Sequence, residues 1–265
     1  MTLDVEKDLG LTEEQMSQMY DYTKQIMTTE EGSIKGVTAF ASPGLFTYRR
    51  SIAKDVLGTD DPVQVQEYLT DWDKFDEAAV MAKEKGYKML SGYSDSYRVF
   101  SNNVSQPWVD GTKIQIDKNI ENWIEQTKEY TDKEYNNKHG IWSDGWTADQ
   151  GSSGNVFGFF LPTWGINFTL MANSLDTAVA DGGKEEVGNG IYGDYGVCQG
   201  PQSWYWGGTW YCPAKGTDNI DEIKDLLEFF CCEKDSMKKM ATDTLDFSNN
   251  KEAMKEVDDS DDSSA

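Results

Sequence analysis

The arrangement of apolar residues along the chain is the feature that most restricts its fold. Short runs rich in aromatic and β-branched residues alternate with longer segments of helical periodicity. The clearest run is NVFGFFLPTW at residues 155–164, and the clearest amphipathic helix is KNIENWIEQTKEYTDKEY at residues 118–135. This alternation predicts an α/β fold with crossover connections between strands.

Other segments complete the pattern with the same signals. Strands are predicted at residues 34–40, 88–93 and 112–117, and helices at residues 11–27, 61–86 and 217–248. The run LFTYRRSIAKDVLG is predicted to begin as a strand end and to continue as a helix up to Gly58.

The charge of the chain restricts its partners. Its 265 residues include 24 Lys and Arg against 47 Asp and Glu, a net charge of −23. Nucleic acids and anionic lipids bind basic surfaces, so we expect neither as a partner. No apolar stretch is long enough to span a bilayer, and the first residues, MTLDVEKDLG, show no secretion signal.

The cysteines and the single histidine give no metal or cofactor motif. There is no CxxC, and His139 lies in a polar loop where we expect it to be exposed. No glycine-rich phosphate loop follows a strand, so no cofactor is predicted. Cys198 and Cys212 end two strand-like runs and can face each other, or they are two small buried thiols. Of Cys231 and Cys232, one is expected in a core and one partly exposed.

Tryptophans are concentrated in one short segment. Trp204, Trp206 and Trp210 lie within seven positions of GPQSWYWGGTWYCPAKGTDN. Ligands of open α/β folds bind beyond the strand ends, and several aromatic residues are predicted in loops after strands: Tyr48, Tyr97, Trp108, Trp142, Trp146, Trp164, Trp204 and Trp206.

Aromatic rings beside polar groups suit a neutral sugar, which offers C–H faces and a rim of hydroxyls. Asp95, Arg98, Asp144 and Asn167 lie near these rings in the sequence and can supply hydrogen bonds. The alternative for any one of these rings is a place in the hydrophobic core.

Two other functions remain open from the residues alone. A glycan-active enzyme would use a carboxylate pair such as Asp144 and Asp149, or Asp95, at a defined separation. A protein-interaction module would use the tryptophan-rich surface to pack on a partner.

Four segments, in this order, resemble the extracellular solute-binding proteins of carbohydrate ABC importers, the family 1 group related to maltose-binding protein. They are GVTAFASPGLFTYRRSIAKDVLG, LTDWDKFDEAAVMAKEKGYKMLSG, NVFGFFLPTWGIN and YWGGTWYCPAKGTDNIDEIKDLLEFF. The resemblance spans roughly residues 12–250. It implies a two-lobed periplasmic-binding-protein-like (type II) fold that closes on a sugar.

The resemblance also implies a domain organisation. Residues 1–40 correspond to the end of the first lobe, residues 41–203 to the second lobe, and residues 204–265 to the return into the first lobe with an acidic tail. The chain is expected to cross near Ala39–Leu45.

Several site residues follow from the resemblance. Trp164 corresponds to a sugar-stacking tryptophan, and Tyr97 and Asp95 to an aromatic residue and an acid that contact ligand. The residues around the Gly-Gly turn face the ligand in this family, which implies a place in the site for Trp206, Gly207 and Gly208.

The departures from the family concern the two ends. Members begin with a secretion signal, often with a lipidated cysteine, followed by the first strands of lobe one, and they end with further helices. The chain is therefore expected to be truncated at both ends, with one lobe incomplete. The resemblance implies an extracellular, cell-surface or periplasmic location, a carbohydrate ligand, a membrane permease as partner and no catalytic activity.

Overall fold

The computed structural model describes residues 1–259 and divides the chain into two compact units. Unit 1 combines Met1–Ser42 with the chain from Gly207 onward, and unit 2 is the continuous segment Pro43–Trp206. Residues 260–265 of the predicted acidic tail lie outside the described residues. In the part of the chain that is described, no helix has both the length and the apolar composition needed to cross a bilayer.

The secondary structure of unit 2 is mostly helical around a small sheet. Its strands are β2 Gly44–Arg49, β3 Val109–Asp110, β4 Lys113–Ile114, β5 Gly158–Pro162 and β6 Tyr195–Cys198. Its helices are α2 Arg50–Leu57, α3 Pro62–Glu67, α4 Trp72–Glu84, α5 Tyr97–Ser101, α6 Lys118–Asp132, α7 Asp144–Asp149, α8 Thr163–Gly165 and α9 Met171–Asn173, with a π-helical turn Ile166–Leu170 joining the last two and a 3-10 turn at Val179–Asp181.

The sheet of unit 2 has one strand that runs against the others. β2 lies in the centre and pairs antiparallel with both β5 and β6. The sheet continues past β5 through parallel bridges from Lys88 to Val156 and from Leu90 to Asn136. All of these segments except β2 therefore end at the same side of the sheet, which we call the carboxyl edge.

The two ends of unit 2 lie side by side at this edge. Pro43 forms an antiparallel bridge with Tyr205, and the Gly44 N–H donates to the carbonyl oxygen of Trp204 at 2.8 Å. Since β2 runs away from the carboxyl edge, the chain enters unit 2 next to the residues through which it leaves.

The run at residues 155–164 is apolar because both sides of β5 are covered. All five residues of β5 are buried, as expected of a strand packed on two faces. Phe160 packs into the larger core with Phe46 and Phe75, while Phe159 and Leu161 belong to a second cluster with Trp146.

Local signals account for several helices. The predicted helix at residues 118–135 is confirmed as α6, and the Asp117 side chain caps it by accepting from the Asn119 N–H at 2.8 Å. Helix α2 follows β2 directly, as predicted, and ends at Gly58 in the left-handed conformation.

Four predicted elements are shorter than the pattern suggested. One is the strand at residues 34–40, which is reduced to Val37–Thr38. The strands at residues 88–93 and 112–117 are reduced to isolated bridges and to β4. The helix at residues 11–27 is reduced to turns followed by α1 Asp21–Ile26. Asn249 accepts from the Tyr20 N–H at 3.1 Å, and this tertiary hydrogen bond holds Tyr20 in an extended conformation.

Unit 1 packs helices on a two-stranded sheet. Besides α1 it contains β1 Val37–Thr38, β7 Trp210–Tyr211, α10 Ile220–Cys231, α11 Lys234–Thr244 and α12 Lys251–Asp258. β1 and β7 are antiparallel, and Leu227 and Cys231 of α10 lie in the core with Val37.

The cysteines are free in the structure. Cys231 is buried and Cys232 is partly exposed, as predicted. Cys198 is buried in β6, whereas Cys212 is exposed, so the alternative of two buried thiols is wrong for Cys212.

Candidate functional site

Four aromatic side chains from different parts of unit 2 meet at the carboxyl edge of the sheet. We call Trp142, Trp164, Phe168 and Trp206 the outer aromatic group. Trp142 precedes α7, Trp164 follows β5 by two residues, and Trp206 ends the segment after β6. Strand direction brings them together, because each follows a segment that ends at this edge.

The rings of the outer aromatic group contact one another closely. The centroids of Trp142 and Trp164 are 6.5 Å apart with an interplanar angle of 13°. Trp206 lies 5.5 Å from Trp164 and 5.9 Å from Trp142, and Phe168 lies 5.9 Å from both Trp142 and Trp164. The result is a continuous aromatic surface.

This surface faces solvent at two of its rings. Phe168 is 71% exposed and Trp142 is 48% exposed. The indole of Trp164 is held in place, because its Nε1–H donates to the carbonyl oxygen of Trp206 at 2.7 Å. An exposed and fixed apolar surface of this kind is typical of a binding site.

The backbone of Trp142 has an unusual conformation. Its φ of 69° lies in the left-handed region, which bulky residues rarely occupy. Strained positions of this kind concentrate at functional sites. A tryptophan that is both strained and half exposed is therefore better explained by binding than by packing.

A cation borders the aromatic surface. The Arg98 guanidinium on α5 lies 5.0 Å from the centroid of the Trp206 ring and 5.9 Å from that of Tyr97. Tyr97 in turn packs edge-on against Trp123. The exposed guanidinium places several N–H donors beside the rings.

A buried tryptophan supports the exposed ones. Trp146 is 2% exposed and its ring lies edge-on to that of Trp142, with 5.0 Å between centroids. Ser143 caps α7 by accepting from the Trp146 N–H, which fixes this residue in the first turn of the helix. The Trp146 indole then packs on Phe159 of β5.

Asp95 lies beneath the aromatic surface. It is 4% exposed, and its carboxylate accepts from the Gly92 N–H at 2.7 Å and from the Trp146 Nε1–H at 3.1 Å. Burial raises the pKa of Asp95 to about 7, against the lowering effect of these hydrogen bonds. The resemblance implied that Asp95 contacts ligand. In the structure Asp95 is buried, and its carboxylate accepts hydrogen bonds from N–H groups of the protein instead.

A second buried carboxylate organises the loop that carries Trp142. Asp149 accepts from the Ser91 hydroxyl at 2.6 Å and from the Asn137 amide at 3.0 Å, and it lies 2.9 Å from His139 Nδ1. His139 is therefore paired and only partly exposed, contrary to the expectation of a solvent-exposed side chain.

Some predicted site residues lie elsewhere. Tyr48 is fully buried within β2, and its hydroxyl donates to the Asp60 carbonyl oxygen at 2.8 Å. The prediction that Tyr48 lies in a loop after a strand is wrong. It lies within β2, which is antiparallel to β5 and β6 and therefore ends at the side opposite the carboxyl edge. Trp204 is buried against Phe160 in the main core.

The remaining predicted residues are outside the outer aromatic group. Asp144 is exposed in the first turn of α7, and Trp108 is exposed just before β3. Gly207 and Gly208 have φ values of 92° and 113° and belong to unit 1, as does Trp210.

Phe168 and the hydrogen bonds of Asp149 are the parts of this site that sequence reasoning missed. Phe168 is four residues after Trp164, a spacing that places two side chains on one face of a helix. That spacing is the one signal that could have found it. The π-helical turn that carries Phe168 has no sequence signature.

Comparisons with known proteins agree with this fold. The model of the family of bacterial extracellular solute-binding proteins matches residues 1–264. A crystal structure of an extracellular solute-binding protein of family 1 has a TM-score of 0.78 at 18% identity, and the match covers 96% of this chain and 62% of that one.

Two sugar receptors are also similar in structure. The GacH receptor of Streptomyces glaucescens, solved without ligand and with acarbose, has a TM-score of 0.63 at 15% identity over 98% of this chain and 64% of its own. An ABC-transporter-associated binding protein of B. animalis subsp. lactis, solved with β-1,6-galactobiose, has a TM-score of 0.60 at 15% identity over 96% and 60%. A search among curated protein sequences found no match.

The chain thus spans a little over three fifths of the length of these solved structures. The fold predicted from the sequence, the α/β fold of periplasmic solute-binding proteins, is confirmed. So is the family resemblance, since the family match extends over nearly the whole chain. The chain belongs to the bacterial extracellular solute-binding proteins, a family of binding proteins rather than enzymes.

Proposed function

We propose that this chain captures an oligosaccharide for a carbohydrate ABC importer and that the outer aromatic group holds the sugar. The observation that carries the proposal is the continuous surface of Trp142, Trp164, Phe168 and Trp206, exposed at the carboxyl edge of the sheet.

The chemistry of this surface fits a neutral sugar. The C–H face of a pyranose packs on indole rings, and its hydroxyls need donors and acceptors at the rim. Arg98 supplies donors next to Trp206. Because the chain carries a net charge of −23, an anionic ligand would meet an unfavourable field.

The structure gives little support to the glycan-active enzyme. A glycosidase needs a carboxylic acid that reaches the glycosidic oxygen and a second carboxylate facing the sugar. Asp149 is held by Ser91, Asn137 and His139, and Asp95 is buried under Trp146. Of the three candidates only Asp144 is exposed.

The family supports our proposal for the partners and the location. A protein of this kind delivers its ligand to a membrane permease, and it works outside the cytoplasmic membrane, at the cell surface or in the periplasm. The structural relatives named above support this proposal, since one is described as associated with an ABC transporter.

A ligand screen tests the proposal. We would follow the thermal unfolding of the chain with maltose, β-1,6-galactobiose, lacto-N-biose and acarbose, the kinds of ligand bound by similar structures. A saturable rise in melting temperature with one of them would show binding to the folded state. No rise with these or with a broader set of mono- and oligosaccharides would contradict the proposal.

The site is tested by Trp164→Ala, with Trp108→Ala as the matched control. Trp108 is an exposed tryptophan outside the outer aromatic group. Loss of a stacking ring should weaken binding by about 1–3 kcal/mol, whereas the control should bind as the unaltered chain does. Equal affinity of both variants would remove Trp164 from the site.

A further inference from the structure

The structure assigns Asp95 a positioning role: its carboxylate holds the indole of Trp146, and Trp146 in turn fixes the ring of Trp142 in the outer aromatic group. The inference rests on the proposed function, because it names the residue that shapes the sugar-binding surface from below.

The first step is the fixed position of the Asp95 carboxylate. It binds the backbone of its own turn through the Gly92 N–H at 2.7 Å. Gly92 is itself confined, because a Cβ at this position would lie 1.6 Å from the carbonyl oxygen of His139. The carboxylate is therefore held by a turn that packs directly against the backbone of His139.

The second step is the dependence of Trp146 on this acceptor. The indole N–H of a buried tryptophan usually has a hydrogen-bond partner, because burying it unpaired costs free energy. For Trp146 that partner is Asp95 Oδ1 at 3.1 Å. A charged acceptor makes the stronger kind of hydrogen bond, so it defines the orientation of the ring more tightly than packing on Phe159 alone.

The third step is the contact from Trp146 to Trp142. The two rings meet edge to face at 5.0 Å, with an interplanar angle of 61°. Trp142 has a left-handed backbone and a half-exposed ring, so it depends on its ring contacts for its position. Of these contacts, only the one with Trp146 comes from a fully buried side chain.

The charges around Asp95 make this role depend on pH. The titratable group that faces it is Asp149 from α7, which is bonded to Ser91 and lies next to His139. The groups that bond to Asp95 are all N–H donors, from Gly92, Ser91 and Trp146. These N–H donors suit the ionised carboxylate, which has no proton of its own to place. Burial raises the pKa of Asp95 to about 7, so protonation near neutral pH weakens its hydrogen bond with the Trp146 indole.

The test uses the indole N–H signals of the nine tryptophans in an NMR spectrum of the full chain. Trp→Phe variants assign the signals of Trp142 and Trp146. Asp95→Asn should shift both signals and leave those of Trp108 and Trp210 in place. Asp144→Asn, an exposed aspartate of α7, is the matched control and should shift neither.

The route through Trp146 is tested by a double-mutant cycle. Asp95→Asn and Trp146→Phe should each weaken binding of the best sugar from the panel by about fivefold. The double variant should bind no more weakly than Trp146→Phe alone, because Asp95→Asn weakens the same hydrogen bond that Trp146→Phe removes. In the unaltered chain the Trp142 signal should titrate as the pH falls through about 7, and in Asp95→Asn it should not.

Two results would overturn the inference. One is an unchanged Trp142 signal in a folded Asp95→Asn variant, and the other is an additive loss of affinity in the double variant. If no sugar binds at all, the proposed function fails, while the NMR signals still decide whether Asp95 positions the two rings.

Discussion

Trp142 and Trp146 lie four residues apart and serve opposite purposes in the structure. Trp142 has a left-handed backbone and presents half of its ring to solvent, while Trp146 lies in a regular helix with its ring fully enclosed. Trp164 and Trp204 repeat the contrast, one in the outer aromatic group and one in the core. We call the outer aromatic group the outer layer and the buried rings of Trp146 and Trp204 the inner layer. Trp142 of the outer layer contacts Trp146 of the inner layer.

From this difference we expect stability and ligand binding to depend on different tryptophans of unit 2. The buried rings carry apolar area, and the Trp146 ring also makes a hydrogen bond, so their loss should destabilise unit 2. The exposed rings contribute less to folding, so their loss should affect mainly the ligand. Variants of the two layers should therefore differ in their effects on stability and on affinity, and equal effects would show that the layers have the same role.

The largest effect is expected for the buried ring. Trp146→Ala should lower the free energy of unfolding by about 3–5 kcal/mol, since it leaves a cavity and removes one of the hydrogen bonds that Asp95 accepts. Trp142→Ala should lower it by about 1 kcal/mol or less. Urea unfolding followed by circular dichroism measures both, and equal losses would show that the layers are not distinct.

The next effect concerns pH. Between about pH 4 and pH 7, Asp95 keeps its proton in the folded chain but has lost it in the unfolded chain, because its pKa is raised by folding. The stability contributed by this carboxyl is therefore highest at low pH, falls as the pH rises through that window and is constant above it.

The magnitude is on the order of 4 kcal/mol, since the pKa of Asp95 rises by about three units from its usual value. Asp95→Asn should remove this part of the pH dependence, and Asp144→Asn should leave it in place. The comparison is made by urea unfolding at a series of pH values. Parallel curves for the unaltered chain and Asp95→Asn would show that Asp95 titrates as it does in the unfolded chain.

A smaller effect is expected at the rim of the outer layer. Arg98→Gln removes the charge next to Trp206 while keeping most of the side-chain stem. The affinity for sugar should fall by about 1 kcal/mol, with little change in stability. Lys113→Gln, an exposed lysine of β4, is the control, and titration calorimetry measures both. An equal loss in the two variants would indicate a general charge effect.

The smallest effect tests the strain at Trp142. Trp142→Gly should be more stable than Trp142→Ala by about 0.5 kcal/mol, because glycine adopts a φ of 69° without a clash. At Thr147, an exposed helical position of α7, the order should reverse, with glycine less stable than alanine by about 1 kcal/mol. The same order at both positions would mean that the backbone of Trp142 is not strained.

Much of the secondary structure of unit 2 can be predicted from local sequence. The periodicity of residues 118–135 and the cap at Asp117 predict α6, and the apolar run at residues 155–164 predicts β5 with Trp164 at its end. These signals suffice because they act within one turn of helix or along one strand.

The site depends on contacts that no local pattern contains. The direction of β2 places Tyr48 far from the carboxyl edge, and the direction of a strand depends on its pairing within the whole sheet. The hydrogen bond from Ser91 to Asp149 joins residues 58 positions apart. Whether Trp142 or Trp146 is exposed follows from such contacts, because both tryptophans lie in the same glycine-rich stretch of sequence.

The bridge between Pro43 and Tyr205 brings together the two ends of a long continuous segment, which affects how readily that segment can be replaced during evolution or by design. A segment whose two ends are paired can be removed or exchanged with little disturbance of the chain on either side, since a short linker would span the gap. All four rings of the outer aromatic group lie within unit 2, with Trp206 as its last residue. Under the proposed function, the ligand preference of this chain can therefore be exchanged with that of a related protein by replacing one continuous segment through two neighbouring junctions.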